Sequence, residues 1–231
     1  MKERIYSIPL TEALEENSGC ILCILEKKLE EQAVDYFLGP SMMEPDSREM
    51  TNEKGFCKGH MKMLFDKKNR LSLALMLETH VKEIEKSLVM PKKSGFFSKE
   101  SPASVLSEGI YKKVQSCALC DKLNSQMTDA AGNLAYLWGG EPDFRKKFEE
   151  NQGLCLEHTA LVIKECDKEI SGKKKEEFLS QLVEKQKEQL GTIYEDLHNF
   201  TLSFDYRNAN KELTQAEKDS VHTAIKHLTK Y

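Results

Sequence analysis

A four-residue set of metal-type ligands occurs twice in this sequence. Cys20-Ile21-Leu22-Cys23 is answered by Gly55-Phe56-Cys57-Lys58-Gly59-His60, and Cys117-Ala118-Leu119-Cys120 is answered by Gly153-Leu154-Cys155-Leu156-Glu157-His158. The half-motifs are separated by 33 residues (24–56) in the first copy and by 34 (121–154) in the second. The offset between copies is 97 from Cys20 to Cys117 and 98 from Cys57 to Cys155, which marks an internal duplication. Three cysteines and one histidine per copy are a common donor set for a closed tetrahedral zinc site. A chain built this way must bring distant segments together at its ligands, whatever else it does.

The chemistry asks for these residue types at this spacing. A C-x-x-C entering a helix places both sulfurs on one side, and the helix N-terminus favours thiolate over thiol. In C-x-x-H at a helix start, positions i and i+3 share a face, so Cys57 with His60, and Cys155 with His158, can hold one ion. Gly55 and Gly153 are expected to permit close backbone approach there. Three thiolates and a neutral imidazole leave a zinc site near −1, which Lys58 is placed to offset. Two zinc ions per chain are expected, with metal ligands Cys20, Cys23, Cys57 and His60, and Cys117, Cys120, Cys155 and His158. Each ion is expected within its own repeat, because a short loop closes at a lower entropic cost than one crossing the linker. Exchange of half-motifs between repeats is the alternative left open.

Seven cysteines also raise disulfides, but secreted disulfide scaffolds are short and loop-rich, and pairing of six cysteines with histidines points to metal. A thioredoxin-like redox pair needs a βαβ context that is not visible, leaving a thiol redox sensor or a metal-dependent (zinc or iron–sulfur) enzyme as the rivals. An iron–sulfur cluster is the alternative cofactor. Haem attachment is excluded, since Ile24 and Asp121 follow the C-x-x-C pairs where histidine would be required. A Walker loop, G-x-S-x-G, H-E-x-x-H and a dinucleotide fingerprint are all absent, which leans against an enzyme and suggests no catalytic residues.

The rest of the chain reads as helix. Charged residues make up 31% and hydrophobic residues 39% of the 231 positions, with 12 glycines and 6 prolines, a soluble helical composition. Residues 1–10 read as a lead-in without a secretory apolar run, Thr11–Glu16 as a short helix stopped by Asn17-Ser18-Gly19, and Leu22–Leu38 as a helix ended by Gly39-Pro40. A short helix is expected near Ser47–Glu53, then one long helix from Cys57 to Val89 with a core seam of Ala74, Leu77, Val81, Ile84 and Leu88. After a linker containing Phe96-Phe97, the plan repeats: a short helix to Val114, a helix from the second C-x-x-C to Trp138, and a helix capped by Asp143. Helices from His158 to Ile170 and from Lys174 to Phe204 follow, the latter with a seam of Leu190, Ile193, Leu197, Phe200 and Phe204. Thr214-Gln215-Ala216-Glu217 is a capping box opening a last helix with Val221, Ile225 and Leu228 on one face.

The expected fold is therefore all-α. Two tandem helical repeats, each clasped by a Cys3His zinc-type site, occupy 1–90 and 107–208, joined by a linker at 91–106 and followed by a C-terminal helix at 209–231. Cys166, His80, His198, His222 and His227 lack counterparts in the other repeat and read as structural. Phe204-Asp205-Tyr206-Arg207-Asn208 reads as a lock on a helix end, with Arg207 and Asp205 satisfying helix carbonyls and amides.

The doubled C-x-L-C with G-[FL]-C-x-x-H, together with Phe204-Asp205-Tyr206-Arg207, resembles a bacterial family of uncharacterised, largely helical proteins over about residues 10–210. That resemblance implies metal binding through these cysteines and histidines and names no activity. The net charge of −4 argues against generic nucleic-acid binding, and no apolar stretch is long enough to span a membrane. The expectation is a cytoplasmic zinc-binding interaction or adaptor module with an unidentified protein partner.

Overall fold

The alternating three- and four-residue apolar spacing after the first C-x-x-C does what it predicts. Leu22, Leu25, Leu29, Ala33 and Phe37 are all buried on one helix, α2 (Ile21–Leu38). The computed structural model describes residues 7–16, 19–91, 101–208 and 212–230. Among them are helices and turns only: α1 (Ser7–Glu16), α2, a 3-10 turn at Pro40–Met43, α3 (Pro45–Lys54), α4 (Lys58–Asp66), α5 (Arg70–Ser87), α6 (Pro102–Gln115), α7 (Ala118–Gly140), α8 (Pro142–Glu150), α9 (Leu156–Cys166), α10 (Gly172–Leu202), a 3-10 turn at Tyr206–Asn208, and α11 (Gln215–Thr229). The expected all-α fold is thus what the chain adopts. Asn17-Ser18, Phe96-Phe97 and most of the expected linker lie outside the described residues.

The chain divides into two compact units whose limits are not those of the sequence repeats. One comprises Met1–Lys27 with Gln126–Tyr231, the other Lys28–Ser125, and both boundaries fall inside helices, α2 and α7.

In the first unit, α1 begins at Ser7, earlier than expected, because Pro9 is tolerated in a first turn and Leu10 is fully buried. An aromatic cluster fills the centre: Trp138 of α7 lies 4.7 Å from Phe178 of α10 between ring centroids, and Phe148 of α8 lies 6.4 Å from Phe178. The buried Trp138 indole donates to Gln181 Oε1 at 2.6 Å, satisfying its one polar atom. Pro142 opens α8, with Glu141 as its cap and Asp143 in the first turn rather than at the cap. α9 ends at Cys166, short of Ile170. Of the expected seam, Ile193, Leu197 and Phe200 of α10 are half-buried and Leu190 is exposed, while Phe204 lies beyond the helix end at Leu202 and is exposed. α11 opens on the expected capping box, Thr214 with Glu217. Its buried face, however, is Glu217, Ser220, Ala224 and His227, and Val221, Ile225 and Leu228 face outward.

The second unit holds two departures from expectation. The long helix expected from Cys57 to Val89 is broken into α4 and α5: Lys68 takes a left-handed conformation (φ 64°), and Asn69 caps α5 by accepting from Ser72 N while donating to Leu38 O. The buried face of α5 is Ser72, Leu73, Met76 and His80, not the Ala74–Leu88 seam; Val81 and Leu88 are exposed. The cause is α3, a polar helix that packs through hydrogen bonds. Arg48 donates to Leu75 O and Thr79 Oγ1, and His80 Nδ1 donates to Asn52 O at 2.8 Å. Polar partners turn the helix, and apolar periodicity does not register them. Ser101-Pro102, expected as linker, is instead the N-cap and first residue of α6.

Candidate metal centres

Each half-motif sits at a helix N-terminus. Cys155 and Cys57 are the N-caps of α9 and α4, with extended backbone (ψ 166° and 167°), and their carbonyls accept the first helical bonds from Thr159 N and Met61 N. Cys20 and Cys117 stand directly before α2 and α7, and accept likewise from Ile24 N and Asp121 N. His60 and His158 follow three residues after their cysteines, so both ligands of a C-x-x-H face the same side.

The eight side chains form two groups, Cys20, Cys23, Cys155 and His158 in the first unit, and Cys57, His60, Cys117 and Cys120 in the second. Both are Cys3His, as expected, but the expected pairing within each repeat is corrected: every group joins the C-x-x-C of one repeat to the C-x-x-H of the other. Loop entropy grows only logarithmically, so closing over the 132 positions from Cys23 to Cys155 costs about 1 kcal/mol more than closing a repeat of 33 or 34. Local contacts outweigh that. Around the second group, Ala118 N donates to Gly55 O at 2.9 Å, Ser116 Oγ to Lys54 O at 2.8 Å, and Lys113 Nζ to Glu53 O at 2.9 Å, while Lys54 pairs with Asp121. The segment before Cys57 is thereby docked onto the segment around Cys117.

The ligand atoms of each group lie within 4.8 Å of one another. His158 Nδ1 is 3.4 Å from Cys20 Sγ and 3.3 Å from both Cys23 and Cys155 Sγ, and the Cys23 and Cys155 sulfurs are 3.7 Å apart. His60 Nδ1 is 3.3 Å from the sulfurs of Cys57, Cys117 and Cys120, and Cys57 Sγ is 3.8 Å from Cys120 Sγ. A tetrahedron with bonds of about 2.3 Å to sulfur and 2.0 Å to nitrogen has edges of about 3.8 and 3.5 Å. The spacing fits one ion per group. It excludes disulfides, whose sulfurs bond at about 2.05 Å, and all seven cysteines are free.

Each imidazole turns Nδ1 inward and Nε2 toward a carboxylate on α2. His60 Nε2 meets Glu30 Oε1 at 3.0 Å, and His158 Nε2 meets Glu26 Oε2 at 3.4 Å. Such outer partners fix ring orientation and raise ligand basicity. Glu26 also accepts from Lys230 Nζ at 2.9 Å, and Lys230 reaches Glu157 at 3.0 Å. Lys230 thus brings a positive charge beside the first group, and Lys58, next to the second, is exposed. Sequence reading missed Glu26, Glu30 and Lys230. C-x-x-C-x-x-E was a usable signal for Glu26, three residues beyond Cys23 on the same helix face; Lys230 had none.

Without a metal the groups share protons. The hydrogen bond with Cys117 raises the His60 pKa to about 9. Burial would raise the Cys117 thiol, but His60 and the surrounding donors lower it to about 6. Burial and then Cys117 push Cys120 up. In the first group, burial alone would lower His158, yet Cys155, Cys20 and Glu26 raise it to about 11. Hydrogen bonding by Cys20 and Cys23 lowers Cys155, and the bond with Cys155 raises Cys23. Imidazolium–thiolate pairs of this kind hold donors in place until an ion displaces the protons.

Both glycines before the C-x-x-H pairs have positive φ, 60° at Gly55 and 94° at Gly153. What presses on them is protein rather than a ligand position: a Cβ on Gly55 would stand 2.3 Å from His80 Nε2, and one on Gly153 would stand 3.0 Å from the Gln189 amide. His80, His198, His222, His227 and Cys166 belong to neither metal-type group. His227 is buried with Nε2 3.1 Å from Gln186 Oε1, and Cys166 is buried with its thiol donating to Ile163 O. The Asp205–Arg207 pair closes on itself, with Arg207 N and Nε donating to Asp205 Oδ1 at 2.9 and 3.0 Å, and Asp205 N donates to Leu202 O at the end of α10 at 3.1 Å.

The fold and site define a helical protein with two Cys3His groups that can each hold a metal ion. Residues 1–231 match a family of unknown function, DUF6062, and the chain belongs to that family. No curated protein and no solved structure matches it. Among the described residues no helix is long and apolar enough to cross a membrane.

Proposed function

We propose that this is a zinc protein in which Cys20, Cys23, Cys155 and His158 bind one ion and Cys57, His60, Cys117 and Cys120 bind a second. The observation carrying this reading is the inward Nδ1 of each histidine at tetrahedral-edge distance from three sulfurs. Four protein ligands close the coordination sphere, which suits a structural ion better than a catalytic one, since a catalytic zinc keeps an open position. Each ion would join two helix N-termini from sequence-distant segments, and its binding free energy would be folding free energy. The role we assign is a metal-stabilised interaction or adaptor module acting on a protein partner in the cytoplasm, without nucleic acid or membrane insertion.

A thiol redox sensor is the second reading, supported by the partial exposure of Cys20, Cys23, Cys57 and Cys120. Metal analysis and a visible spectrum of protein purified without added metal separate the possibilities. Structural zinc predicts two zinc ions per chain, no visible absorbance and a large loss of stability on chelation. Iron-type absorbance, or stability that does not fall when the metal is absent, overturns it; reversible thiol oxidation with the fold retained favours the sensor.

A further inference from the structure

We propose that α11 is a latch whose docking is controlled by the ion in the first centre, an inference resting on the zinc reading above. The face of α11 turned toward α9 and α10 is poor in apolar surface. It buries Glu217, Ser220, Ala224 and His227, and leaves Val221, Ile225 and Leu228 outside. The Ser220 hydroxyl is buried there without a hydrogen-bond partner, which weakens the contact further. A helix of 15 residues so placed depends on its polar contacts, and two of these, through Lys230 and His227, reach elements of the first centre.

Lys230, in the left-handed C-cap of α11 (φ 58°), bridges two carboxylates on different elements: Glu26 of α2, which holds His158, and Glu157 of α9, the neighbour of His158. The spacing of those carboxylates is set by how Cys20 and Cys23 are clasped to Cys155 and His158. His227 adds a second strut. Its ring meets Gln186, whose amide donates to Leu154 O at 2.6 Å and Thr159 Oγ1 at 3.0 Å, on either side of Cys155 and His158. When the ion clasps α2 to α9, both struts find their partners at the right separation. When it leaves, only the weaker hydrogen bonds of His158 with Cys20, Cys23 and Cys155 hold that separation, and α11 is released more readily.

Hydrogen exchange of the full chain, zinc-loaded, tests this with Lys230→Met, with Lys226→Met as an exposed control on the same turn of α11. The latch predicts at least about tenfold faster exchange over 215–229 in Lys230→Met alone, with α9 unchanged. It also predicts, by reciprocity, about tenfold weaker binding of one of the two ions. Cys20→Ser, which empties the first centre, should release α11 while α5 stays protected; Cys57→Ser should leave α11 protected. Unchanged exchange in Lys230→Met, or faster exchange with both zinc affinities intact, overturns the latch while the zinc reading stands. Failure of the unmodified chain to bind zinc overturns both.

Discussion

Cys23 and His158 are 135 positions apart in the chain, yet Cys23 Sγ and His158 Nδ1 stand 3.3 Å from each other. That contact exists only because the half-motifs are exchanged between the repeats. On the zinc reading proposed above, these long-range closures depend on the ions, so chelation should lower the stability of each unit.

Metal binding should release protons. At pH 7 His60 carries a proton, its pKa being raised to about 9, and so does Cys120, raised by burial and Cys117. Zinc binding at the second centre must displace both, at least two per ion. His158 and Cys23 are the corresponding pair at the first. Titration of metal-free protein with zinc in weakly buffered solution should show this acidification, and apparent affinity should fall steeply as pH drops. Uptake of zinc without proton release would show that the donors are already ionised.

The metal-free protein should have its own pH optimum. His60 is raised above its ordinary value of 6.5, so its stabilisation is complete below that value and disappears as pH rises through about 9. Cys117 is lowered from 9.0, so its contribution is complete above that value and disappears as pH falls through about 6. The second unit without metal is then most stable between about pH 6 and 9, as urea unfolding at a series of pH values will show. Monotonic stability across that window would contradict the imidazolium–thiolate pair.

Glu26→Gln and Glu30→Gln should each weaken one ion by about 10- to 100-fold while leaving the other unaffected. Competition with a chromogenic chelator measures this. Because the Glu30 side chain is 32% exposed against 15% for Glu26, the second centre should also surrender its ion first in the unmodified protein.

Gly55→Ala should destabilise the loaded protein by about 3 kcal/mol or more, since it joins a glycine-only backbone conformation to a collision with the His80 ring. Gly153→Ala should cost about 1–2 kcal/mol, because the Gln189 amide can swing aside. Equal effects in denaturant unfolding would mean that His80 yields as readily.

These outcomes also mark where the sequence was legible. The eight ligands stood out because duplication separates them from five unpaired cysteines and histidines, and the α2 seam because its burial is purely apolar. Pairing was illegible, since loop entropy discriminates by only about 1 kcal/mol and the deciding bonds at Gly55, Ser116 and Lys113 are backbone and surface contacts. The α5 face was misread because Arg48, Asn52 and His80 bury polar groups, and α11 turns inward the side that periodicity would leave in water.

Metal stoichiometry of two double variants by native mass spectrometry tests the exchanged pairing most directly. Cys20→Ser/Cys155→Ser removes two ligands from one centre and should retain one tightly held zinc ion. Cys20→Ser/Cys57→Ser damages both centres and should retain neither. The reverse pattern, one ion kept by Cys20→Ser/Cys57→Ser and none by Cys20→Ser/Cys155→Ser, would show that each repeat closes on its own ion and would contradict the account.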